Sequence, residues 1–149
     1  PLAEVPDGGI QVDGYLDDWG DAPLSVSDPE GDSLQTEVGS AGDIASVRVA
    51  RDTNRLYFQL ATRKPVSPRV TYEFAWHALP GTGAGTGTAV VRIGKPLPEG
   101  VQARHRGNVW EVSVPRPQGS SVLVSVSASI PGFELDRSGW RILKPADGP

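Results

Sequence analysis

The chain of 149 residues contains no cysteine and no methionine, and its first 47 residues contain no lysine or arginine. Without cysteine, the protein has no disulfide, no thiolate metal site and no thiol nucleophile. No apolar run approaches the roughly 18 residues of a membrane-spanning helix, so we expect no membrane span. The 14 basic residues are scattered. Because no basic run follows a phosphate backbone, we also expect no nucleic-acid partner.

Acidic residues are concentrated where basic residues are missing. Eleven of the 18 Asp and Glu side chains lie within the first 47 residues. Like charges crowded into one third of a small domain repel each other unless positive charge lies among them. The sequence leaves three explanations open: a bound cation, the basic remainder of the same fold, or a solvent-exposed face.

Apolar and polar residues alternate in several short segments. In RLYFQLA, Leu56, Phe58 and Leu60 share one face, whereas Tyr57 and Gln59 lie on the other. This period of two is typical of β-strands with one buried face. The same alternation recurs in segments 70–77, 110–114 and 122–130.

Turn-forming residues separate these segments, and no window shows the 3.6-residue period of a helix. The chain has 18 Gly and 14 Pro, and Asp52-Thr53-Asn54-Arg55 predicts a hairpin in which Asn54 tolerates a left-handed conformation. We predict an all-β fold, a single-domain antiparallel β-sandwich of about nine strands. The sandwich would span 10–144, and the tails 1–9 and 145–149 would link it to flanking domains of a larger chain.

The acid-rich third contains a loop suited to a hard cation. Asp28, Glu30 and Asp32 alternate in SDPEGDS, and Asp43 stands where the next strand begins. Calcium takes six to eight oxygen ligands, which such loops supply together with a distant acid. The spacing excludes an EF-hand, because Gly and Glu are missing at its sixth and twelfth positions. An Asx-turn with solvated carboxylates is the alternative.

Three phrases of the sequence carry a family resemblance. VDGYLDDWGDAP, SDPEGDS and GDIASVRVARDTNRLYFQLA together resemble the opening of carbohydrate-binding module family 9 and the DOMON-like superfamily of β-sandwiches. SDPEGDS is also similar to a phrase in the C-terminal domain of glucodextranase-type enzymes. The resemblance implies a secreted or cell-envelope domain with structural calcium at Asp28, Asp32 and Asp43, and in several branches a bound saccharide.

Aromatic side chains are the candidate sugar platforms. Trp76 and Trp110 lie on the apolar faces of their segments, which predicts core positions, whereas Tyr57 faces away from its apolar neighbours and is expected to be exposed. Trp140 would stack on a ligand or cover one end of the sandwich. A DOMON-type haem site commonly needs Met and His ligands, and because the chain has no Met we expect no haem.

No catalytic motif is present, and we expect no enzyme. Glu73 and Glu111 lie on separate strands and are expected to be solvated rather than paired as in a glycosidase. The leading hypothesis is a non-catalytic, extracellular, calcium-stabilised module that binds a polysaccharide or cell-wall glycan. The alternative is a structural or protein-interaction domain with no sugar ligand.

Overall fold

The computed structural model of the protein describes residues 3–4, 10, 12, 24–27, 43–79, 86–138 and 140–144. These residues form eleven β-strands and no helix, so they include no helix that could cross a membrane. The strands in chain order are β1 (Ala3–Glu4), β2 (Leu24–Ser27), β3 (Ile44–Arg51), β4 (Arg55–Thr62), β5 (Thr71–Leu79), β6 (Thr86–Val91), β7 (Gln102–Arg106), β8 (Val109–Pro115), β9 (Ser121–Ile130), β10 (Phe133–Arg137) and β11 (Arg141–Leu143).

The strands pair into two sheets. In the first, β3, β4, β8 and β7 are successive neighbours, and β1 and β2 share the remaining edge of β3. In the second, β9, β5 and β6 are successive neighbours, and β10 and β11 share the remaining edge of β9. Counted by position, the sheets therefore have five and four strands, which confirms the predicted all-β sandwich of about nine strands. β1 runs parallel to β3, and the other strand pairs in the described ranges are antiparallel.

The hydrophobic core lies between the sheets. Phe58 of β4 and Phe74 of β5 contact each other with ring centroids 5.4 Å apart, and Tyr72 and Trp110 join the sheets in the same way at 6.2 Å. Burial raises the pKa of Tyr72 to about 12, so its hydroxyl is neutral at physiological pH. The inward faces predicted from alternation are confirmed, because the buried set includes Leu56, Leu60, Val112, Val114, Val124, Val126 and Ala128.

A glycine makes room for the indole of Trp76. Gly87 on β6 lies in register with Trp76 on β5, and a Cβ atom at position 87 would lie 2.5 Å from Cζ2 of the indole. Real carbon atoms do not approach this closely, so the ring can lie against the backbone of β6 only because residue 87 has no side chain. Trp76 thereby packs on Phe58 with centroids 6.3 Å apart and serves as a core residue, as its face predicted.

The outer face of the first sheet is also buried, which the sequence interpretation did not expect. Tyr57 is 5 % exposed and Glu111 is 1 % exposed. Ile10 forms a second apolar cluster with Ala50 and Tyr57, and Val12 packs against it. The predictions of an exposed Tyr57 and a solvated Glu111 are therefore wrong, because alternation assigns a residue to a face but does not show whether another segment covers that face.

The hairpin between β3 and β4 forms at the predicted residues, but its turn is not closed by a left-handed Asn54. The Asp52 N–H donates to the Arg55 carbonyl at 3.1 Å. Asn54 does not take the left-handed conformation, because no described residue other than glycine has a positive φ. Oδ1 of Asp52 instead accepts the N–H groups of Asn54 and Arg55, each at 2.7 Å, so the carboxylate closes the turn.

The two predicted tails differ in what the structure describes. Within 1–9, Ala3 pairs with Ala50 in β3, so part of the N-terminal tail joins the first sheet. The C-terminal tail, 145–149, lies outside the described residues.

Candidate binding cleft

The four aromatic residues that were candidate sugar platforms do not form one platform. Trp76 and Trp110 lie on the inner faces of the two sheets, and Tyr57 lies on the buried outer face of the first. Trp140 is 50 % exposed beside β11, which leaves it as the one member of this set with a largely accessible ring. These four side chains therefore do not stack together along one sugar chain.

A cleft opens instead at the side of the sandwich, where the end of β6 approaches the edge strand β7. It has a volume of about 290 Å³. One wall comes from the segment that leaves β6, and the other from β7 and the inner face of β8. We call it the β6–β7 cleft, and it is lined by Arg92, Ile93, Gly94, Lys95, Leu97, Ala103, Arg104, His105 and Trp110.

Two tight turns shape the connection above the cleft, one over 92–95 and one over 98–101, where the Val101 N–H donates to the Pro98 carbonyl at 3.1 Å. The Lys95 N–H donates to the Arg92 carbonyl at 3.1 Å, and Gly94 has a φ of 82°. A positive φ at the third residue of a turn is typical of type II and favours glycine. At the far end of the connection, Nη2 of Arg55 donates to the Gly100 carbonyl at 2.8 Å, which fastens the connection to the first sheet.

Trp110 forms the floor of the cleft. Its indole lies between Tyr72 in the core and His105 at the edge, with ring centroids 6.2 Å and 4.8 Å away. Trp110 is 3 % exposed, and its Nε1–H has no acceptor within the part of the chain that the structure describes. A buried donor left without an acceptor costs about 1–3 kcal/mol, which the packing of the indole in the core must offset.

The lining of the cleft is basic. Arg92, Lys95 and Arg104 carry positive charge, His105 adds a ring nitrogen donor, and no Asp or Glu is among the described lining residues. Nε of Arg92 donates to the Pro68 carbonyl at 2.5 Å, which holds the guanidinium at the rim. Such a lining attracts a negatively charged or oxygen-rich ligand.

A second pocket adjoins the β6–β7 cleft on the other side of β7. It has a volume of about 420 Å³ and shares Leu97, Ala103 and Arg104 with the cleft, while Val12 and Gln102 complete much of its wall. The two pockets are therefore neighbours along the edge strand β7.

Sequence reasoning missed the cleft because its residues come from separate segments. Arg92 and Lys95 follow β6, whereas Arg104 and His105 belong to β7. Each pair by itself is an ordinary solvated pattern of a loop or an edge strand. Arg92 and Lys95 come near the edge strand β7 only because the chain crosses from one sheet to the other between β6 and β7.

The structure describes one of the four predicted calcium ligands. Asp43 is 4 % exposed, and Oδ2 of Asp136 accepts the N–H of the next residue, Ile44, at 2.9 Å, so two carboxylates approach the start of β3. Ser27, the last residue of β2, pairs with Ser46 at the same end of the sheet. Asp28, Glu30 and Asp32 lie outside the described residues, and the described residues contain no group of three potential metal ligands.

Glu73 and Glu111 do not form a glycosidase pair. Glu73 lies on the outer face of the second sheet and Glu111 on the outer face of the first. The two side chains project outward from opposite outer faces of the sandwich, and the backbones of the two sheets are already about 10 Å apart. Glycosidase carboxylates are about 5–9.5 Å apart across one site, so these two residues cannot act on a common bond.

Comparisons with known proteins do not assign the chain to a family. No protein-family model matches it, and neither the curated proteins nor the solved structures include a match.

Proposed function

We propose that this protein is a non-catalytic, extracellular, carbohydrate-binding-like module, attached to a larger secreted or cell-envelope protein, and that its ligand binds in the β6–β7 cleft. The observation that supports this proposal is the cleft itself, in which the buried indole of Trp110 is surrounded by Arg92, Lys95, Arg104 and His105. Binding sites for small ligands combine an apolar floor with a few directed polar groups. The adjoining second pocket suits a ligand with repeating units.

Binding to a glycan panel tests this function. Isothermal titration should detect binding to at least one polysaccharide, and Leu97→Ala should weaken it several-fold, since Leu97 is 42 % exposed and lines both pockets. Trp140→Ala is the matched control, because Trp140 is exposed and does not line either pocket. Loss of binding in Trp140→Ala but not in Leu97→Ala would overturn the assignment to the cleft, and a panel with no binding would overturn the function.

Calcium is the second part of the proposal. Asp43 would hold the ion with Asp28, Glu30 and Asp32, and Asp136 adds a carboxylate next to Ile44. Carboxylate oxygens are the ligands that calcium prefers, and two carboxylates at the start of one strand repel each other less when a cation lies beside them. The ion would join the end of β2 to the start of β3 and would have a structural role.

Thermal melting tests the calcium proposal. A cation that binds the native state at 100 times its dissociation constant stabilises it by about 2.7 kcal/mol, so the melting temperature should rise by roughly 5–10 °C between EDTA and millimolar calcium. Asp43→Asn should remove most of this rise. Glu134→Gln should retain it, because Glu134 forms an exposed ion pair with Arg137 at 2.7 Å. Superimposed curves for the unsubstituted protein in EDTA and calcium would contradict the proposal.

The alternative function, a protein-interaction domain, is favoured by one observation. On the outer face of the second sheet, Val90 and Ile142 are 44 % and 56 % exposed, and half-buried Ala75 and His77 lie on the same face. An interaction domain would use this face, so Val90→Lys would abolish partner capture without changing glycan binding. The glycan titration thus separates the two functions.

A further inference from the structure

We infer that the ligand of the β6–β7 cleft is an acidic polysaccharide, one whose sugar rings carry carboxylate or sulfate groups. This inference rests on the proposed function and specifies its ligand class. It follows from the charge of the cleft and from the size of the site.

The positive charges of the cleft are not neutralised within it. Arg92 uses Nε to bind the Pro68 carbonyl, and no ion pair with another described residue involves Lys95 or Arg104. Arg104 lies in register with Glu111 across β7 and β8, so both side chains start from the outer face and Glu111 offsets part of the charge of Arg104, whereas Arg92 and Lys95 have no Asp or Glu beside them in the described lining of the cleft. A neutral sugar would not neutralise these charges, whereas an oxyanion would bind the cationic side chains through charge-assisted hydrogen bonds.

Trp110 lies at the floor of the cleft and provides a spectroscopic probe of it. Its Nε1 has almost no solvent-accessible surface, so the ligand would contact the charged side chains that line the cleft rather than this nitrogen.

The distribution of charge favours an acidic glycan over a nucleic acid. The cations surround a cleft of about 290 Å³ rather than following a long stripe, and the first 47 residues bring eleven acidic side chains and no basic ones to the same small protein. A nucleic acid carries one negative charge per phosphate over its whole length and is bound by basic side chains that follow its backbone, whereas a short acidic oligosaccharide needs only a few cations at one place.

Two matched oligosaccharides test the inference. Trigalacturonate and galactotriose differ in the carboxylate that each acidic ring carries, so the full chain should bind trigalacturonate at least tenfold more tightly. A sulfated disaccharide, with a neutral counterpart, forms the second arm and shows whether sulfate replaces carboxylate. Raising sodium chloride from 50 to 200 mM should weaken the acidic ligands and leave neutral ones unchanged.

Charge-removing variants locate the site. Lys95→Gln combined with Arg104→Gln should weaken trigalacturonate binding about tenfold or more. Lys64→Gln combined with Arg141→Gln removes the same charge from exposed positions outside the cleft and should change binding less than twofold. In nitrogen–proton spectra, the Nε1–H resonance of Trp110, assigned by its absence in Trp110→Phe, should shift on binding.

Four other results would contradict the inference. Equal binding of galactotriose and trigalacturonate would overturn the inference and leave the proposed function intact, and no glycan binding would overturn both. Tighter binding of a single-stranded oligonucleotide than of either acidic sugar would show that the ligand is a nucleic acid and would overturn the inference. Equal losses in the two double variants would show that net charge, not the cleft, attracts the ligand, and would also overturn the inference.

Discussion

Replacing Asp52 with alanine is expected to lower the free energy of unfolding by about 3–5 kcal/mol, the size associated with loss of a buried hydrogen-bond network. Asp52 is 3 % exposed. Its Oδ1 accepts two backbone N–H groups of the turn at 2.7 Å, and its Oδ2 accepts the hydroxyl of Tyr57 at 2.5 Å. Alanine would leave these three donors without their acceptor, and hydrogen bonds to a charged group contribute about 1.5–3 kcal/mol each.

Two further variants separate the turn from the hydroxyl. Tyr57→Phe removes one donor and retains the ring, so its loss should be about 1–2 kcal/mol. Asn54→Ala changes an exposed side chain in the same turn, where surface substitutions change stability by about 0.5 kcal/mol or less. Urea unfolding of the three variants gives the values. If Asp52→Ala costs no more than Asn54→Ala, the carboxylate does not hold the hairpin.

The Asp52 network also explains why Tyr57 was misassigned from the sequence. Alternation with Leu56 and Phe58 correctly placed Tyr57 on the opposite face of β4. Exposure does not follow from that placement, because Ile10 and Val12 pack on the same face from more than 40 residues earlier in the chain. The hydroxyl meets Asp52 only because the hairpin returns β4 beside β3, which local patterning does not reveal.

The inward faces of the sandwich, by contrast, could be predicted from the sequence. Phe58, Phe74 and Val112 each belong to a run with a period of two, and burial between two sheets is the physical cause of that period. The β6–β7 cleft could not be predicted in the same way. Its cations lie on a loop and an edge strand, where solvated charges are common, and their meeting depends on how the two sheets are stacked.

The acid-rich third remains only partly explained. Ile10 and Val12 bring its first residues onto the outer face of the first sheet, the face that carries Arg48 and Arg104 in register with Gln59 and Glu111. Ile10 and Val12 of this segment therefore lie on a face that also carries basic residues. The calcium titration addresses one of the three explanations of the uneven charge.

Glu111→Ala should lower the free energy of unfolding by about 3 kcal/mol, whereas Glu73→Ala should change it by about 0.5 kcal/mol or less. The two residues have the same side chain and the same place in an alternating strand, but Glu111 is 1 % exposed and Glu73 is half-buried on an open face. A carboxylate that is fully removed from water persists only when the surrounding groups compensate its charge. Removing it leaves those groups uncompensated and opens a cavity.

The polar row across the outer face of the first sheet gives this loss its physical basis. Arg104, Glu111, Gln59 and Arg48 are in register on four adjacent strands, and Nη1 of Arg48 donates to Oε1 of Gln59 at 3.0 Å. Glu111 is the negative member between two cations, so alanine would leave half-buried Arg48 and exposed Arg104 without the carboxylate between them. The repulsion and the lost acceptor add to the cavity.

Glu111→Gln distinguishes charge from volume. Glutamine fills the same space without the charge, so a loss close to that of Glu111→Ala would assign the effect to electrostatic compensation, and a loss below about 1 kcal/mol would assign it to packing. Urea unfolding at neutral pH measures all three variants on one scale. If Glu111→Ala proves as mild as Glu73→Ala, the outer face of the first sheet is open to water in solution and the burial of Tyr57 and Glu111 is refuted together.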